Sequence, residues 1–103
     1  MTTFKIFVHP DHPDQKIEVL PDRIDESLKS LGLKKVIPIR SVVYVNAPIS
    51  TDSTSVIYKG MFRVDLALAN KQSANYFFRD EKEANRFSAL VADFACKCQV
   101  QAT

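Results

Sequence analysis

The stretch VIYKGMFRVDLALANKQSANYFFRDEKEANRFSALVADFACKC, residues 56–98, decides the fold. Its apolar residues first fall on even positions: Val56, Tyr58, Phe62, Val64, Leu66 and Leu68. Lys59, Met61, Arg63, Asp65 and Ala67 lie between them. That period of two marks a strand with one face on a core and the other toward solvent. Gly60 interrupts the run, so a kink or bulge is expected there. Asn70 to Ser73 is a polar turn suited to an antiparallel hairpin. The return strand, Ala74 to Arg79, carries three consecutive aromatics, which cannot all face one side. With Ala74, Tyr76 and Phe78 inward, Asn75, Phe77 and Arg79 point outward.

A helix follows. Asp80 with Glu83 three residues on forms a capping-box-like pair, and Glu81 and Glu83 complement the positive end of the helix dipole. Ala84, Phe87, Leu90, Val91, Phe94 and Cys98 repeat at three- and four-residue intervals, with Arg86, Ser88, Asp93 and Lys97 opposite. This stripe needs a partner surface, and the even-numbered face of the hairpin is the nearest one.

The chain has 103 residues, 46% hydrophobic and 25% charged, as expected of one soluble globular domain spanning residues 1–103. No apolar run approaches the length of a membrane span. MTTFKIFV lacks the features of a signal peptide, so the expected location is cytoplasmic, with no membrane partner. The net charge of +2 is too small to indicate a polyanionic partner, and no basic block exceeds Lys34-Lys35.

Upstream, Thr3–Val8 alternates as a first strand and Lys16–Leu20 as a second. Between them lies the Pro/Asp loop His9-Pro10-Asp11-His12-Pro13-Asp14. Pro21-Asp22 then reads as a helix start, with Ile24, Leu28 and Leu31 on one face and Gly32 as the stop. Lys34–Asn46 is rich in β-branched residues and reads as a strand, and Ala47–Ser55 as a loop. The expected fold is α+β: a single-layer antiparallel sheet of about five strands, order β-β-α-β-β-β-α. A short helix and the long C-terminal amphipathic helix pack on one face.

Three candidate sites compete with plain structural readings. His9, Asp11 and His12, with Asp14, are a candidate metal cluster, and a metal-dependent role for this loop is one alternative. A solvated Pro–Asp turn outweighs it, so no metal or other cofactor is expected. Cys96 and Cys98 project about 200° apart on a helix and read as inert small side chains. The remaining candidate is the outward sheet face: Met61, Arg63, Asn75, Phe77 and Arg79. Met, Arg and aromatic residues of this kind suit a protein contact. An exposed aromatic flanked by arginines also suits RNA or single-stranded DNA, the second choice.

With only Gly32 and Gly60, no glycine-rich phosphate loop is available, and no nucleophile elbow or zinc hook is present. The expectation is a non-enzymatic module that binds a protein through the outward sheet face or an edge strand, with a homodimer as one form.

Tyr76-Phe77-Phe78-Arg79-Asp80-Glu81-Lys82-Glu83-Ala84, followed by an amphipathic helix, resembles the close of a pleckstrin-homology-like domain. The resemblance covers the last strand and the helix only. It implies a C-terminal helix plugging a sheet, brings no lipid-binding residues with it, and leaves function open.

Overall fold

Alternation at the start of the chain becomes the first strand. The computed structural model describes residues 2–7, 15–28, 33–51 and 59–102. In β1 (Thr2–Ile6), Phe4 and Ile6 are buried while Thr3 and Lys5 are exposed. β2 (Gln15–Val19) runs back antiparallel, with Ile17 opposite Phe4 and Val19 opposite Thr2.

The helix expected from Asp22 to Leu31 is not formed over the described residues. Arg23–Leu28 is strand β3, paired antiparallel to β2 and to β4 (Leu33–Pro38). Pro21 and Asp22 lie in a tight turn in which the Leu20 N–H donates to the Arg23 carbonyl at 2.8 Å. The fixed φ of proline suits such a turn as well as a helix start. Ile24 is fully buried. Two residues on, Glu26 accepts a hydrogen bond from the buried Tyr76 hydroxyl, at 3.2 Å. A carboxylate on the core side of a strand hides the alternation from a reading of the sequence.

The single-layer sheet of five strands is also corrected. The described residues form two antiparallel sheets of four strands each, and one long helix. The apolar run Lys34–Asn46 divides at Pro38. Ile39–Ser41 forms a 3₁₀ turn, with the Ser41 hydroxyl donating to the Pro38 carbonyl at 2.7 Å. β4 therefore completes the first sheet, order β1-β2-β3-β4, while β5 (Val42–Val45) opens the second. There β7 (Phe62–Leu68) pairs with β5, with the two-residue β6 (Ile49–Ser50) and with β8 (Ser73–Phe78). Gly60 sits in a turn at φ +79°, before β7 begins. The Thr51 N–H and hydroxyl both donate to the Met61 carbonyl, at 3.1 and 3.0 Å. Val56 and Tyr58, read as part of this strand, lie outside the described residues.

The inside–outside assignment of the hairpin holds along β7 and β8 but fails at Met61, which precedes β7 and is buried. Val64 and Leu66, with Ala74, Tyr76 and Phe78, are buried, while Asn75 and Arg79 are exposed. The sheets meet where the Phe7 N–H donates to the Phe77 carbonyl at 2.8 Å. α1 (Glu81–Ala102) buries Ala84, Phe87, Val91 and Ala95. Phe87 touches Phe4 from one sheet and Tyr76 and Phe78 from the other, at ring-centroid distances of 5.5, 5.2 and 5.1 Å. One helical residue thus binds both layers into one core.

Candidate interaction surface

The hairpin's outward face is the first surface to consider. Arg63 stands opposite Phe77, and Asp65 opposite Asn75, in the β7–β8 register. Both Arg63 and Phe77 are half-buried, Asn75 and Arg79 are exposed, and Met61 is buried at 7% exposure. The structure therefore brings Arg63, Asn75 and Phe77 to one face and sets Met61 apart. Arg79 lies at the end of that face, with its guanidinium 4.9 Å from the centre of the Phe7 ring.

Much of this surface is bound to itself. The Arg63 Nε donates to the Asp65 carboxylate at 3.1 Å. Asn46 clamps Asp65 from the neighbouring chain segment: its Nδ2 donates to the carboxylate at 3.2 Å, and its Oδ1 accepts the Asp65 N–H at 2.9 Å. A guanidinium held by a carboxylate has less to offer a phosphate backbone.

A second surface lies on β5. The β5–β7 register runs from Val42 opposite Leu68 to Tyr44 opposite Ala67, so Val43 is an extra residue, a β-bulge. Val43 and Tyr44 are both strongly exposed, at 62% and 63%. Ile49, farther along the same margin, is 43% exposed. Among the described residues no strand pairs with the outer edge of β5. A bare strand edge offers a row of unpaired N–H and C=O groups.

Beside that edge runs a groove of about 190 Å³. Val42–Val45 forms one wall, and Ala92, Ala95 and Cys96 of α1 form the other. Ser88, one turn earlier on the helix, donates to the Asn46 carbonyl at 2.9 Å and ties helix to strand. The small side chains of Ala92 and Cys96 leave room for a backbone to lie close against the helix.

Val43, Tyr44 and Ile49 were not singled out from the sequence. In an unbroken apolar run no alternation separates wet from dry positions. The available signal was the stretch Ser41–Thr51, which contains no charged residue. Natural edge strands usually carry a charge that blocks pairing.

The histidine loop, with His9, Asp11 and His12, lies outside the described residues, and the described residues hold no cluster of three metal-ligating side chains. Cys96 is exposed, and the half-buried Cys98 thiol approaches the Pro21 carbonyl at 3.6 Å. Among the described residues no helix is long and apolar enough to cross a membrane. Comparison with protein-family models, curated proteins and solved structures finds no match.

Proposed function

We propose that this chain is a small non-enzymatic protein-binding module that takes an extended segment of its partner as an added strand on β5. The observation that carries this reading is the pair Val43 and Tyr44, standing exposed beside the groove against α1 on an edge that no strand among the described residues pairs with. Main-chain hydrogen bonds to such an edge supply affinity, and side chains dropping into the adjacent groove supply selectivity. Tyrosine is among the residues most enriched in binding hot spots. The single-stranded nucleic acid reading through Phe77 has less support, because the Asp65 carboxylate holds the Arg63 guanidinium.

The test is selection of extended peptides from a random library, followed by amide chemical-shift mapping. Bound peptides are expected to shift and protect the β5 amides, and Tyr44→Ala to weaken binding about tenfold or more. The exposed position leaves stability within about 0.5 kcal/mol of the parent. If the shifts cluster around Phe77 and Arg63 instead, the edge reading fails. A concentration-dependent doubling of the 11.6 kDa mass, abolished by Tyr44→Lys, would identify a second copy as the strand donor.

A further inference from the structure

The flank of α1 that faces the β5 edge is as free of charge as the edge itself. Ser88 donates to the Asn46 carbonyl, while Ala92, Ala95 and Cys96 line the groove along Val42–Val45, so the helix runs back beside the strand. The lengths agree: Asn46 to Val42 spans about 13 Å in a strand, and Ser88 to Cys96 about 12 Å in a helix. At about 3.6 residues per turn, Asn85, Ser88, Ala89, Ala92 and Cys96 project within an arc of about 100°. Asn85, Ala89, Ala92 and Cys96 are exposed. Arg86, Asp93 and Lys97, the charged residues over the same length, project on the side away from β5. There Lys97 and Asp93 pair with each other at 3.0 Å.

A single added strand would satisfy the β5 edge and leave this helix flank uncovered. A second copy of the chain covers both. Two β5 strands paired antiparallel about a two-fold axis bring a second α1 alongside the first, and the axis crosses each helix near Ala92. Such a contact needs only one surface, provided that it complements itself. Packed helices stand about 8–10 Å apart depending on the side chains between them, and alanine, serine and cysteine permit the near end of that range. Charge points the same way. Ser41–Thr51 contains no charged residue, so the strand meets its own copy without opposing like charges. A strongly charged partner gains no electrostatic complement from so neutral a face.

We propose that the strand donor is a second copy of this chain, joined β5 to β5 with the Ala89–Ala92–Cys96 flanks of the two helices in contact. This inference rests on the β5 edge being the binding surface and adds its occupant.

Sedimentation equilibrium of the whole chain, with and without a peptide selected on β5, tests it. The mass is expected to climb with concentration from 11.6 kDa toward twice that value, and the peptide to return it to 11.6 kDa, because both use one edge. Ala89→Arg places a guanidinium from each copy in the helix contact and should raise the dimer dissociation constant about tenfold or more. Ala89 does not line the groove, so peptide affinity should match the parent's. Alanine and arginine are both strong helix formers, so the variant keeps its fold. Asn85→Arg, one turn earlier on the same flank, should act in the same direction.

A chain that stays at 11.6 kDa at millimolar concentration while the peptide still binds β5 overturns the second copy and leaves the edge reading standing. A dimer that neither the peptide nor Ala89→Arg weakens uses another face, and also overturns the proposal. Peptide shifts that map away from β5 overturn both readings together.

Discussion

Tyr76 and Glu26 form the most consequential polar contact inside the molecule. The phenol is almost wholly buried, and its one described partner is a carboxylate fifty positions away in the chain. Removing the hydroxyl in Tyr76→Phe is expected to cost about 1 kcal/mol, because the half-exposed Glu26 can turn to water. Burial first, then the charge of Glu26 and its hydrogen bond, hold the Tyr76 phenol far above the ordinary tyrosine range. The sign of the pH dependence follows. Above about pH 10 the unfolded chain releases this proton while the folded chain keeps it, so stability falls as pH rises. The slope approaches about 1.4 kcal/mol per pH unit, and Tyr76→Phe should remove it. Urea midpoints of parent and variant, compared at neutral and alkaline pH, check both statements.

At the level of the elements, the last helix depends on its first residues. The Asp80 carboxylate accepts the Lys82 N–H, and the Asp80 carbonyl accepts the Ala84 N–H at 3.1 Å. Asp80→Ala is expected to cost about 1 kcal/mol, read from denaturant midpoints, while Asp80→Asn keeps most of the cap. Glu83 pairs with Arg86, three residues along the helix. This helix and the β7–β8 hairpin were readable from residue order because each has a clean period and a polar boundary. Phe78 and Leu66 point inward as their even numbers require. β3 was not readable. Glu26 occupies a core-side position that alternation assigns to an apolar residue, where its carboxylate stays half-exposed and accepts from Tyr76, far along the chain. Pro21-Asp22 added a second ambiguity, since the same pair opens a helix or closes a turn. The β5 edge was hidden for another reason. Val42 is buried and Val43 is not, and a bulge set by the β7 register, rather than the residues themselves, separates them.

For the molecule as a whole, Phe87 is the common point of contact between the layers. It is fully buried and meets Phe4, Tyr76 and Phe78. Truncating a buried phenylalanine costs about 3–5 kcal/mol, against a total stability of about 5–15 kcal/mol for a domain of this kind. Phe87→Ala should therefore lower amide protection in both sheets together. Loss in one sheet alone would mean that the layers unfold separately. The division into two sheets was beyond a linear reading, because Pro38 and the turn after it redirect a continuous apolar run. In the hairpin and the helix, which residues are buried was local information. Which sheet receives them was not.

The seam between Phe7 and Phe77 has a kinetic corollary. A strand from the start of the chain must find one near its far end before the structure can shut, and long-range pairings of this sort form slowly. While that search lasts, the uncharged ribbon from Ser41 to Thr51 has no electrostatic guard against neighbouring chains. Yield on refolding should then drop as protein concentration climbs, and dilution or a chaperone should restore it.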